Sequence, residues 1–185
     1  MSTAEKYNSV SEAGYLAAEE TSLERHELVS GVMYAMAGET TIHNEITQNL
    51  LSAVREHVHG RGCHVFVRTV KLRLPVASTF YYPDLKVTCD PRDTDPRFIQ
   101  HPRLIIEVLS EHTQQTDRRE KLFAYLQIPT LEEYVLVSSL AREVVVHRRA
   151  AGWTSQPLPP EAAAPTLESL GLTIPLTRIY ADVEL

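Results

Sequence analysis

Two carboxylates and one amine carry the most chemistry in this 185-residue chain. Asp84 lies in the run YYPDLKVTCD and Glu107 in LIIEVLS, both strand-like, and Lys121 follows on the next helical segment. Runs this apolar belong to a core. An ionised carboxylate placed there costs roughly several kcal/mol unless it is paired or binds a metal. Because side chains alternate along a strand, Glu107 shares a face with Ile105 and Leu109, and Asp84 with Tyr82, Lys86 and Thr88. If the two strands are neighbours, one register brings both carboxylates together. Two close like charges raise at least one pKa. Bound Mg2+ or Mn2+ removes that conflict, since such ions prefer hard oxygen ligands and retained waters. Two acids with a nearby amine suggest a divalent-metal site that cleaves phosphodiesters.

Each residue also has a plainer reading. Asp117 and Lys121 are spaced i,i+4, the usual helix-surface ion pair. Asp84 follows Pro83 and could cap a turn. Glu107 could pair with an arginine. Lys86 shares the Asp84 face and is a rival source of the amine, as is Lys71. His112, beside the end of the Glu107 strand, has no evident partner. Tyr81, Tyr82 and Tyr125 read as core or rim aromatics.

The elements that must position these groups are readable in outline. SVSEAGYLAAEE reads as a short N-terminal helix. ELVSGVMYAM reads as a hairpin, with Ser30-Gly31 as a two-residue turn. Ile42, Ile46, Leu50, Val54 and Val58 recur every four residues and predict an amphipathic helix over 41–58, stopped by Gly60 and Gly62. Strands are expected at HVFVRT, VKLRLP, YYPDLKVTC and LIIEVLS, with Pro83 at a strand start or edge. DPRDTDPRFIQHP reads as a polar loop, and 113–127 as a second helix with Leu122, Tyr125 and Leu126 on one face. EEYVLVSS and REVVVHRR form a closing pair of strands, PLPPEAAAP a surface tether, and LESLGLTIPLTRIY a terminal element that packs back. This order predicts an α/β (α+β) fold: a central mixed sheet flanked by helices, with an N-terminal helix and β-hairpin.

Composition fits one domain spanning 1–185 with a sizeable core: 43% hydrophobic and 23% charged residues. No apolar run approaches the roughly 20 residues of a membrane span. The N-terminal MSTAEKYNSV lacks the basic and apolar regions of a signal peptide, so a cytoplasmic protein is expected. Cys63 and Cys89 are outside CxxC or zinc-finger spacing and are expected to be reduced, partly buried thiols. The formal net charge of −6 argues against affinity resting on a broad basic surface. It leaves room for a local basic groove from Arg118, Arg119 and Lys121, or from Arg142, Arg148 and Arg149. Taken alone, each cluster reads as a solvated face.

The stretches ELVSGVMYAMAG, HNEI, YYPDLKVTCD, PRLIIEVLSEHT, DRREKLFAYLQIPTLEEYVLV, VHRRAAGW and LGLTIPLTRIY together resemble one family. It is the bacterial "putative restriction endonuclease" family, a domain of unknown function within the PD-(D/E)XK nuclease superfamily. The resemblance runs from about residue 20 to 180. It implies a restriction-endonuclease-like core, with Asp84, Glu107 and the backbone carbonyl of Val108 as metal ligands. The usual superfamily pattern places a lysine two residues after the second acid, where this chain has Leu109. In this branch the lysine moves to the following helix, and Lys121 is the matching position. Glu27 and His43 also match, as a second acid and a water or phosphate contact. Either could equally be structural.

The implied activity is Mg2+- or Mn2+-dependent hydrolysis of DNA phosphodiester bonds, leaving a 5′-phosphate. The metal would polarise the phosphate and acidify a bound water, and Lys121 would orient that water and stabilise the developing charge. A homodimer, in which two sites meet two strands, is implied as well. The acidic balance and the missing lysine at 109 motivate an alternative: a non-catalytic nucleic-acid- or protein-binding domain on the nuclease fold. Hydrolysis of some other phosphoester is a third reading.

Overall fold

The first described element begins at a cap. Ser11 accepts a hydrogen bond from the Gly14 N–H at 3.1 Å and starts helix α1, Glu12–Thr21. The computed structural model describes residues 9–36, 38–76, 78–111, 114, 117–159 and 162–185. After α1, β1 (His26–Val29) and β2 (Val32–Ala35) pair antiparallel through Ser30 and Gly31, at φ 51° and 84°. Two consecutive left-handed residues define the turn that matches strand twist in a two-residue hairpin. Gly31 is also hemmed in, because a Cβ there would lie 2.8 Å from the Ser9 Cβ.

Helix α2, Thr41–Val58, is capped by Thr40, which accepts from the His43 N–H at 3.2 Å. Its four-residue rhythm buries Ile46, Leu50, Val54 and Val58, with Ile42 partly buried. Strands β3 (His64–Val67), β4 (Lys71–Arg73), β5 (Phe80–Tyr81), β6 (Leu85–Thr88), β7 (Phe98–Ile99) and β8 (Leu104–Leu109) follow. A π-helical turn, Asp117–Lys121, then runs directly into α3, Leu122–Tyr125. The chain closes with β9 (Glu133–Ser138), β10 (Val144–Arg148), β11 (Ser155–Pro157), β12 (Thr166–Leu167), β13 (Leu172–Thr173) and α4 (Leu176–Ile179).

Apart from an antiparallel β12–β13 pair, the strands form a six-stranded sheet in the order β11-β10-β9-β8-β6-β3 and a five-stranded sheet in the order β2-β1-β5-β4-β7. Both are mixed, with β8–β9 and β4–β7 parallel and the remaining pairs antiparallel. Strand β8 lies inside the larger sheet and is buried along its length. Ile106 and Val108 pack on the face covered by α2 and α4. Ile105 and Leu109 pack on the other face, against Tyr125 and side chains of β4 and β5. A strand buried on both faces reads as a continuous apolar run, and Glu107 is its one charged interruption.

Four local expectations are corrected. The run YYPDLKVTC is not one strand: it divides between β5 in the smaller sheet and β6 in the larger. Pro83 has no N–H for a ladder, so the break falls there and leaves Asp84 just ahead of β6. The polar loop of 90–102 contains β7, whose Phe98 and Ile99 are buried against β4. The expected helix over 113–127 is a π turn and a short α segment; His112, Thr113, Gln115 and Thr116 lie outside the described residues.

The cysteines are the fourth correction. Cys63 and Cys89 form a disulfide, with Cα atoms 4.1 Å apart. Strands β3 and β6 pair His64 with Thr88, so the next pair outward is Cys63 opposite Cys89. That proximity follows from strand register, which cysteine spacing does not reveal.

Candidate active site

Asp84 and Glu107 meet because β6 and β8 are antiparallel neighbours. The register sets Leu85 opposite Ile106, so Asp84, one residue ahead, falls beside Glu107. The Asp84 N–H donates to Glu107 Oε2 at 3.1 Å, and the Val108 N–H donates to Asp84 Oδ2 at 2.8 Å. His43, on the first turn of α2, approaches the same oxygen, its Nε2 3.1 Å from Asp84 Oδ2. The site thus sits at the carboxyl end of β8, where α2 approaches from one face of the sheet and the π turn from the other.

Lys121 is the hub on the second side. Its Nζ lies 3.2 Å from Glu107 Oε1, 3.3 Å from Glu27 Oε1 and 3.2 Å from Asp117 Oδ1. The Tyr125 hydroxyl donates to Glu107 Oε1 at 2.9 Å. Glu27 comes from β1 and is fixed by the Tyr82 N–H at 3.2 Å. The i,i+4 pairing of Asp117 with Lys121 therefore exists, but both side chains are buried rather than displayed on a helix surface.

These groups line one cavity of about 270 Å³. Glu27, His43, Asp84, Glu107, Val108 and Lys121 all border it, and so do Glu39, Arg68 and Asp117. Five carboxylates thus face two permanent cations, Lys121 and Arg68. Burial and the nearby Asp117 and Asp84 charges push Glu107 up to about 8, against the pull of Lys121. Asp84 moves the other way: burial opposes its charge, but the His43 contact and the Val108 N–H hold it below the usual carboxylate range. Burial works against the His43 cation, yet Asp84 raises its pKa. Lys121 also overcomes burial, because Glu107, Glu27 and Asp117 hold it well above the ordinary lysine value.

Two buried polar atoms have no hydrogen-bond partner among the described residues, His43 Nδ1 and Asp117 Oδ1. Each faces a charge: Glu39 Oε2 is 3.6 Å from His43 Nδ1, and Lys121 lies beside Asp117. Glu39, His43 and Asp84 each offer a ligand atom within 4.8 Å of the others. The other oxygen of Glu39 is ion-paired with Arg68.

The rival lysines point elsewhere. Lys86 Nζ donates to the Val67 and Pro83 carbonyls at 3.1 and 3.2 Å, and burial lowers its pKa to about 7. Lys71 lies over the Tyr82 ring, 5.6 Å from its centroid. Glu107 takes a lysine and a tyrosine as partners, not an arginine. Tyr125 is a core aromatic that also supplies a hydroxyl to that acid. Sequence reasoning passed over Glu39 and Arg68. The i,i+4 spacing of Glu39 and His43 was a usable signal for the first; Arg68, just past β3, offered none.

No helix among the described residues is long and apolar enough to cross a membrane. A family model described as "Putative restriction endonuclease", Uma2, matches residues 13–177. Two relatives from Synechocystis sp. are named uncharacterized proteins. One, slr1290, is 36% identical over 136 residues, covering 73% of this chain and 72% of that protein. The other, sll1609, is 32% identical over 135 residues, covering 71% and 76%. A crystal structure of a "putative nuclease belonging to DUF820" from Anabaena variabilis matches with a TM-score of 0.73 over 90% of this chain and 97% of that one. At 17% identity that likeness concerns the fold, and it agrees with the mixed α+β architecture described above. The family model spans well over half of the sequence, and the chain belongs to the Uma2 family.

Proposed function

We propose that this protein is a divalent-metal-dependent endonuclease that hydrolyses DNA phosphodiester bonds in the cavity around Asp84 and Glu107. Membership of a family described as putative restriction endonucleases supports a nuclease-like role. The observation that carries the finer reading is the convergence of Asp84, Glu107 and Lys121 on one cavity.

The residues present fit a hard dication. The cavity holds a surplus of carboxylates, and burial pushes Glu107 towards its protonated form. Such a cavity would repel a phosphodiester unless a cation offset it. Asp84, Glu107 and the Val108 carbonyl would hold Mg2+ or Mn2+. When bound, the ion would supply charge for the phosphate and acidify a coordinated water.

The chain's own residues do the rest. Lys121 presents an ammonium that stays protonated and is fixed by Glu27, Glu107 and Asp117. It can donate a hydrogen bond to a nucleophilic water or to charge developing on the phosphate. His43 and the Val108 N–H hold the Asp84 carboxylate in one orientation. Arg68, at the cavity wall, is placed to meet a phosphate oxygen. Pairing of two copies, so that two sites meet two strands, belongs to the same reading.

Substrate class and metal dependence are tested together. Purified protein is offered duplex DNA, single-stranded DNA, RNA and small phosphodiesters, with Mg2+, with Mn2+ or with EDTA. Cleavage of DNA that requires the metal is the expected result. Hydrolysis confined to small phosphoesters, or equal cleavage in EDTA, would contradict the reading.

A further inference from the structure

We propose that Glu39 is a built-in competitor for the substrate phosphate: it occupies Arg68 in the resting site, and a phosphodiester must displace it to engage the guanidinium. This regulation belongs to the proposed hydrolytic centre and rests on that reading.

Glu39 and Arg68 form an ion pair, and their side chains, 21% and 26% exposed, are the most open of the charged groups that border the cavity. Lys121 differs: it is buried among Glu27, Glu107 and Asp117 and cannot turn away without stranding buried charge. A partly exposed pair contributes little net stability, so one anion can replace another on Arg68 at small cost. A phosphodiester suits the exchange, because its two unbridged oxygens match the planar guanidinium fork.

The main chain under Arg68 is pinned beside Asp84. Strands β3 and β6 pair Val67 with Leu85, so Arg68 falls opposite Asp84, and its N–H donates to the Asp84 carbonyl at 3.2 Å. The buried Lys86 ammonium ties together the carbonyls of the two preceding residues, Val67 and Pro83, at 3.1 and 3.2 Å. The exchange therefore asks only for side-chain rotation, and a phosphate on Arg68 is held on the Asp84 side of the cavity. Glu39 is anchored as well. It directly precedes the Thr40 cap of α2, and Asn44 Nδ2 donates to its Oε2 at 3.4 Å while Oε1 meets Arg68. When Arg68 turns to a phosphate, Glu39 keeps its partner on α2.

The test is a double-mutant cycle on binding of a fluorescein-labelled DNA duplex, read by anisotropy in saturating CaCl2, an oxygen-seeking dication that balances the acids. Glu39→Gln should tighten binding by about threefold, the scale of a partly exposed ion pair. Arg68→Gln should weaken it by about tenfold or more, the loss of a charge-assisted contact. The double variant should bind no tighter than Arg68→Gln, because Glu39 has no guanidinium left to contest. A gain from Glu39→Gln that persists in the Arg68→Gln background marks mere loss of a negative charge and overturns the proposal. So does a Glu39→Gln protein that binds like wild type, an Arg68→Gln protein that does so, or a wild type that binds no duplex. Melting curves check each fold, and Arg68→Lys, which loses the planar fork, takes the place of Arg68→Gln in the cycle if the latter does not fold. The expected cycle in a protein that cuts no DNA in Mg2+ supports the Glu39–Arg68 competition and contradicts only the nuclease reading; metal-dependent cutting with a flat cycle does the reverse.

Discussion

The main chain of Asp84 holds the side chain of Glu107: its N–H donates to Glu107 Oε2 at 3.1 Å. The reverse tie runs one residue further on, where the Val108 N–H donates to Asp84 Oδ2 at 2.8 Å. Two acids that should repel are thereby locked at neighbouring positions of antiparallel strands. Their spacing is built into the sheet rather than left to side-chain rotamers, which is what a preorganised cation site requires.

Lys121 offsets that concentration of charge. Replacing it by methionine keeps the packing stem but leaves Glu27, Glu107 and Asp117 facing one another without a cation. Removing one partner of a buried pair costs about 3–5 kcal/mol. At about 2–4 °C per kcal/mol for a chain of this size, the melting temperature in EDTA should fall by about ten degrees. Saturating Mg2+ should restore part of the loss. A Lys121→Met protein that melts with wild type in EDTA would show that the ammonium is not the compensating charge.

The metal-free protein should lose stability as pH rises from about 4.5 to about 8. Glu107 is raised from 4.5 to about 8 in the fold, so the folded state holds that proton more tightly than the unfolded chain. Its contribution is full below 4.5 and is lost as pH climbs through 8. His43, also raised, adds in the same direction above 6.5. Lys86, lowered to about 7, acts oppositely between 7 and 10.5, where the unfolded chain binds the extra proton. Melting curves in EDTA should therefore decline from mildly acid to neutral pH, and Glu107→Gln should flatten the decline. Saturating Mg2+ should flatten it too, by stabilising the ionised acid. A wild-type curve that rises through this window in EDTA contradicts the assignment.

Reduction gives a separate stability prediction. The Cys63–Cys89 bridge closes a loop across a sequence separation of 26. Loop-closure entropy for such a bridge is worth about 2–4 kcal/mol. Dithiothreitol, or Cys89→Ser, should lower the melting temperature by several degrees, with alkylation and mass measurement reporting thiol state. Two reactive thiols in the protein before any reductant is added would refute the bridge.

Sequence legibility followed the range of the interaction. The four-residue rhythm of Ile46, Leu50, Val54 and Val58 is local, and α2 ends at Val58 as that rhythm predicts. Ser30-Gly31 likewise announces its own turn. Strand β7 was invisible because two residues carry no period, and Phe98 and Ile99 are buried only by pairing with β4. The disulfide was unreadable for a similar reason: it depends on the β3–β6 register. Asp84 and Glu107 stood out because apolar surroundings make a charge conspicuous. Asp117 was visible only as a surface partner of Lys121, since nothing local reveals that the turn carrying both packs inward against Glu107.

The most direct test of the central claim is plasmid nicking by Asp84→Asn beside wild type, in Mg2+. This substitution is mild for the fold, because an amide oxygen in place of Oδ2 can still accept from His43 and from the Val108 N–H. Melting temperature should therefore stay within a few degrees of wild type. Wild type should nick in Mg2+ and not in EDTA. The variant should lose about a hundredfold or more of that activity, the scale of removing a preorganised electrostatic group. A folded Asp84→Asn protein that nicks DNA at the wild-type rate would contradict the account.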